Sequence, residues 1–301
     1  MFEELENNKK ILIKLLENPN NKKLLKFWLL AELAYSSNAI EGNTLTKRET
    51  ELVIQEKITS SSKPFVYYQE AVNHARAFLK GIEYIQKNAT INEKFILELH
   101  RQILLGIDDD NAGFYRNCMV RISGSRVIMP NPVKVPTLMT DFMEWLAKSN
   151  INDPKTAIDA HLKFVSIHPF VDGNGRCARL LMGLLLMKAG YAPIIVRPRD
   201  RKRYLDAIEN AQLTQIQDKY NNFMFKLLNK SMETVIHIID TTKEIETNDK
   251  LLTISQFAKL TGLTVATIRY RVKQKKLIPY TYTDSGYMLF KKEQKNEINK
   301  D

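Results

Sequence analysis

The 301 residues carry a net charge of +11 and are 44% hydrophobic, enough apolar material for a sizeable core. The opening MFEELENNKK mixes charges without an apolar core segment, and the most apolar stretch, Ala178 to Met187, is about half the ~20 residues a membrane helix needs, so neither a secretory signal nor membrane insertion is expected. Two cysteines, Cys118 and Cys177, are too few for a disulfide scaffold or a cysteine-rich zinc site, which points to a reducing, cytoplasmic compartment.

In chain order, apolar residues between Leu24 and Ala39 recur at helical spacing through Leu25, Trp28, Leu29 and Leu33, and Gly42 supplies a left-handed stop. Thr46 with Glu49 and Thr90 with Glu93 read as capping boxes that open two further helices, the second running to about Leu105. Met119–Ile122 and Arg126–Met129 are β-prone and flank Ser123-Gly124-Ser125, the pattern of a hairpin closed by Pro130 and Pro132. Val135 to Lys148, Ala157 to Ile167 and Arg176 to Ala189 follow as helices. The polar stretch from Thr241 to Lys250 reads as a linker. Beyond it, Thr253–Leu260 and Val265–Lys273 form two short helices before a strand pair that turns at Asp284-Ser285-Gly286, the order of a winged helix-turn-helix. From Lys250 onward nine lysines and two arginines face four acids, a net +7, so DNA is a candidate partner of this module. A partner protein is the other candidate.

The segment His168-Pro169-Phe170-Val171-Asp172-Gly173-Asn174-Gly175-Arg176-Cys177-Ala178-Arg179 joins one helix to the next. His-Pro breaks the first helix, and two glycines let the backbone approach a ligand at the N-terminus of the second, a phosphate-favouring arrangement. Arg176 and Arg179 share a face of the first turn, where cations are disfavoured unless an anion meets them. Asp172 suits Mg²⁺ among phosphates, and His168 suits a general base for a hydroxyl. Singly, each feature is ordinary: a structural histidine, a turn, an ion-pair face.

This string matches the Fic motif H-P-F-x-[D/E]-G-N-G-R-x-x-R at every fixed position, and the chain resembles that family from about Phe65 to Leu228, including Gly113-Phe114-Tyr115-Arg116 and the hairpin. The resemblance implies an all-α bundle with a β-hairpin flap, followed here by a small winged helix-turn-helix. It implies N-terminal helices over 1–64, a catalytic core over 65–230, a linker over 231–250 and the last domain over 251–301. It implies transfer of AMP from ATP, with Mg²⁺, to a hydroxyl on an unidentified target protein and on the chain itself. By position, His168 takes the hydroxyl proton and Asp172 holds the metal. Gly173, Asn174 and Gly175 surround the phosphates, with the Asn174 side chain on the α-phosphate, Arg176 on the β- and Arg179 on the γ-phosphate. Tyr204 and Asn210 are adenine-pocket candidates that equally suit packing. Ser123, Gly124, Ser125 and Arg126 form the flap that docks the target backbone. Gly175 favours AMP transfer over phosphate transfer, because the kinase-like branch has lysine there.

Ser37-Asn38-Ala39-Ile40-Glu41-Gly42 resembles the family's inhibitory motif [S/T]-x-x-x-E-[G/N]. It implies that Glu41 pairs with Arg179, within one chain or across a homodimer, and that Ser37 braces the Glu41 carboxylate or the loop. Two other readings stay open: a DNA-binding regulator whose core is vestigial, with Thr267-Ile268-Arg269-Tyr270 in a MerR-like second helix, and a transferase that uses another nucleotide donor.

Overall fold

The computed structural model describes residues 2–59, 62–87, 89–247, 251–274, 276–283, 286–291 and 294–295. These fall into two compact units, Met1–Ile236 and His237–Asp301.

The first unit is built mainly of helices. It contains α1 (Phe2–Leu15), α2 (Pro19–Ile40), α3 (Lys47–Glu56), α4 (Phe65–Gln86), α5 (Glu93–Leu104), α6 (Val135–Lys148), α7 (Pro154–Ile167), α8 (Asn174–Lys188), α9 (Arg201–Thr214) and the start of α10 (Asp218–Thr247). α8 is the axis of the bundle, packed against α7, α5, α4 and α2. Leu180, Leu181, Met182, Leu184, Leu185 and Leu186 are all buried, because a helix that is apolar on every side must be covered on every side. Residues expected to form separate N-terminal helices and a core thus share one unit.

Local chemistry accounts for most boundaries. Asn18 caps α2 ahead of Pro19, and the capping box of Thr46 and Glu49 opens α3 as expected. The expected box at Thr90 does not form; Asn92 caps α5 instead, accepting from the Phe95 N–H, because an Asx side chain two residues later meets that donor directly. Residues 231–247, expected as linker, continue α10, since no glycine or proline interrupts them. The flap keeps its turn, closed by Ser125 N–H on the Ile122 carbonyl at 3.1 Å, but its arms form no ladder of paired strands.

The second unit has a strand that the sequence reading missed. β1 (Leu251–Thr253) precedes α11 (Ile254–Thr261) and α12 (Val265–Lys273); β2 (Thr281–Tyr282) and β3 (Met288–Lys291) follow. The antiparallel order is β1-β3-β2. Phe257 and Phe290 stack at 4.6 Å in a core shared with Ala258, Ile268 and Leu277. This is a winged helix-turn-helix; of its expected turn, Asp284 and Ser285 lie outside the described residues. No described helix is long and apolar enough to cross a membrane.

Candidate active site

The loop between α7 and α8 begins where α7 is forced to stop. Pro169 denies His168 a helical conformation, and His168 takes the left-handed one, φ 51°, with its N–H on the Phe164 carbonyl at 2.9 Å. A non-glycine residue holds that conformation only when its surroundings insist. Arg116 does the insisting. Its Nε donates to the His168 carbonyl at 2.7 Å, Nη1 to Cys118 O at 3.0 Å and Nη2 to Pro130 O at 2.7 Å, while its own N–H reaches Pro169 O at 2.9 Å. One buried guanidinium thereby ties the loop to both arms of the flap.

Phe170 anchors the next step. It is fully buried and stacks on His100 at 3.5 Å. His100 Nδ1 accepts the Gly113 N–H at 2.9 Å, so its hydrogen is on Nε2, which donates to the Asp172 carbonyl at 2.9 Å. Burial pushes His100 down to about 4, which keeps that tautomer neutral. Asn174 departs from expectation. Its side chain clasps the Phe170 backbone, Oδ1 on N–H and Nδ2 on O, both at 2.9 Å, and it is 2% exposed. The amide thus holds the loop's own backbone.

His168 is itself largely covered, and burial, with the Arg116 charge assisting, lowers its pKa. The imidazole is therefore neutral near pH 7. Its Nδ1 is enclosed by protein, which leaves Nε2 as the nitrogen that can meet a substrate.

The two arginines of the first α8 turn have different company. Arg176 Nη1 meets Glu70 Oε1 and Nη2 meets Asp172 Oδ2, each at 2.8 Å. Arg179 Nη2 meets Glu41 Oε1 at 2.5 Å, so the expected pair forms within one chain. Ser37 braces the arginine and not Glu41: Arg179 Nε donates to its hydroxyl and Nη2 to its carbonyl, both at 3.0 Å. Arg201 Nε donates to the Ile40 carbonyl at 2.7 Å, holding the end of α2. A Cβ added at Gly175 would overlap the Glu41 carboxylate, so glycine makes room for this pair. Beside the arginines, burial pushes His74 and His161 down to about 3, and both are neutral.

Of the two readings of Tyr204, packing is the one its surroundings match. Tyr204 is 1% exposed, with its hydroxyl on His161 Nε2 at 2.6 Å and its ring centroid 6.0 Å from the Arg179 guanidinium. Hydroxyl and ring both serve the interior. Asn210 is half-buried on α9, and its carbonyl accepts from the Thr214 hydroxyl at 2.8 Å. Its neighbour Glu209 holds the flap tip, accepting Arg126 N–H at 2.7 Å and the Ser125 hydroxyl at 3.1 Å. Ser123 and Gly124 form the tip's turn. Beside the second flap arm, a groove of about 430 Å³ is lined by Ile128, Phe142, Trp145, Lys163 and Gln212 among others.

Arg116, Glu70, His100 and Glu209 have roles here that were not assigned from sequence. Arg116 lay in a quoted motif; the others gave no local signal.

Residues 90–186 match the Fic/DOC family, and residues 253–290 match the MerR family of regulatory proteins. A relative from Nematostella vectensis, named protein adenylyltransferase Fic, is 37% identical over 182 residues, 59% of this chain and 42% of its own. The chain thus spans less than half the length of that relative. Fic-1 of C. elegans (residues 134–508) superposes with a TM-score of 0.71 at 26% identity, over 79% of this chain and 72% of its own. A Fic-domain signalling protein from Bacteroides thetaiotaomicron superposes at 0.69 and 24% identity, over 79% and 98%. In sequence over residues 90–186, and in fold, this chain is similar to the Fic/DOC family.

Proposed function

We propose that this chain transfers AMP from ATP to a hydroxyl of a target protein, with itself as one target, and that Glu41 restrains the reaction. The observation that carries the reading is a neutral, partly enclosed His168 beside a helix N-terminus that presents Arg176 and Arg179. The hydroxyl oxygen attacks the α-phosphorus, its proton passes to His168 Nε2, the bond from the α-phosphorus to the bridging oxygen breaks, and pyrophosphate leaves. Arg176 and Arg179 stabilise the charge on the β- and γ-phosphates, and the rigid loop supplies alignment.

Asp172, with its side chain 64% exposed, is a hard oxygen donor at the mouth of the loop. Among the described residues no group of three or more His, Cys, Asp or Glu could hold a metal alone. One carboxylate completed by substrate phosphates is the usual Mg²⁺ arrangement, so the donor set fits, with Asp172 as the protein ligand. Bound there, Mg²⁺ would neutralise developing phosphate charge.

Restraint follows from occupancy. Arg179 donates to Glu41 and Ser37, and while Glu41 holds Nη2 the γ-phosphate cannot. Target backbone is proposed to dock along the flap, whose second arm borders the groove. The test is incubation of wild type, Glu41→Gly, and Glu41→Gly with His168→Ala with labelled ATP, Mg²⁺ and lysate. Label on protein should rise in the first variant and vanish in the second; equal label in all three overturns the reading.

A DNA-binding role for the second unit is favoured by α12, which Thr264 caps and which exposes Arg269, Tyr270 and Lys273. Duplex binding that weakens steeply with salt, and weakens again in Arg269→Ala, would support it; binding to protein alone would not. Both cysteines are free.

A further inference from the structure

Glu70 stands on α4, 106 positions before Arg176, and both of its carboxylate oxygens are committed. Oε1 accepts from Arg176 at 2.8 Å, and Oε2 accepts from Asn43 Nδ2 at 2.8 Å. The same nitrogen donates to the Tyr67 carbonyl at 3.0 Å, and Asn43 Oδ1 accepts the Leu45 N–H at 2.9 Å. Asn43 is 7% exposed and lies two residues after Glu41. Glu70 therefore cannot turn without breaking a built network.

The two carboxylates on Arg176 are unequal. The side chain of Asp172 is 64% exposed and that of Glu70 is 17% exposed. An exposed carboxylate exchanges partners at little cost, because water or a cation takes the place of the one it leaves. An enclosed one does not, and Arg176, whose side chain is 3% exposed, needs a counter-charge that stays. Resting on the adenylyl-transfer reading, we infer that Glu70, held by Asn43, is a positioning residue that keeps Arg176 aimed into the loop while Asp172 is given up to the nucleotide. The α2–α3 corner then has two opposed duties. Through Glu41 it blocks one arginine, and through Asn43 it braces the other. Removing the Glu41 carboxylate is not equivalent to removing the corner.

The test uses the full chain with Glu41→Gly as parent, titrated calorimetrically with ATP, ADP and AMP. If Arg176 meets the β-phosphate, adding Glu70→Gln should weaken ATP and ADP by about tenfold or more, the share of one charge-assisted hydrogen bond, and leave AMP unchanged. Asn43→Asp keeps the acceptor for Leu45 but sets a second carboxylate against Glu70, and it should weaken the same two nucleotides. Should Glu70→Gln fail to fold, Asn43→Asp decides alone. A purely structural Glu70 would lower the melting temperature and shift all three nucleotides equally or not at all, which overturns the inference. Tighter ATP binding would mark Glu70 as a competitor and also overturns it. If the parent binds ATP but labels no protein, the transfer reading fails while the nucleotide series still decides on Glu70. If the parent binds no nucleotide, both fall.

Discussion

Arg176 and Arg179 are one turn apart on the same helix and carry the same charge, yet their partners lie on different helices and differ in exposure. Arg176 is held by α4, part of the bundle, and by the loop's own Asp172. Arg179 is held by the end of α2, through Ser37 and a Glu41 side chain that is 38% exposed. Helical spacing tells which charges share a face. The burial of the partner tells which pair can open. On the proposed function, one arginine is thus a fixture and its neighbour a switch.

The largest effect tests whether both serve a working loop. In the Glu41→Gly background, His168→Ala should lower labelled-product rates by ~10²–10⁴ with ATP affinity nearly unchanged in calorimetry, since a general base contributes about that much. Retention of more than a few per cent of the rate would remove His168 as the base.

Next comes stability. Arg176→Ala leaves an enclosed Glu70 carboxylate without its cation and should cost about 3–5 kcal/mol in urea unfolding. Arg179→Ala should cost about 1–2 kcal/mol, because the Glu41 carboxylate regains water. Equal losses would dissolve the contrast.

Acid sharpens it further. His74 and His161, beside the arginines, are held neutral down to about 3, mainly by burial. An unfolded chain takes up those protons near pH 6.5, so the folded state loses stability as pH falls below 6.5. The loss should reach up to about 1.4 kcal/mol per histidine per pH unit, with no such slope above 6.5. Unfolding at pH 7.5, 6.5 and 5.5 measures it, and His161→Gln should flatten the slope. Glu41→Gly leaves Arg179, whose side chain is 8% exposed, without its counter-charge, so stability should fall by about 1–3 kcal/mol and recover with ATP, read as melting temperature.

The loop from His168 to Arg179 was legible because its chemistry is contiguous, and the Glu41–Arg179 pair, 138 positions apart, because two motifs named its ends. Glu70 and Glu209 were not legible, since a carboxylate on a helix surface looks alike whether it meets solvent or a distant arginine. Asn174, expected at the α-phosphate, clasps the loop's own backbone, and Tyr204 takes the packing role that was one of its two readings. In both cases the residue type suits either use and only burial separates them. The bundle was legible from apolar spacing. The strand β1 was not, because three residues carry too little periodicity. The flap ladder was overread: the turn forms, but the arms do not pair as strands.

Arg116 fastens the loop through the carbonyls of His168, Cys118 and Pro130, groups that neither titrate nor carry net charge. Ionic strength therefore has little grip on the loop's shape. The Glu41–Arg179 contact, between two full charges with one partly in water, is open to screening. Salt is then a selective instrument: on the proposed function, raising it should loosen the Glu41 restraint while leaving the loop's shape as it is.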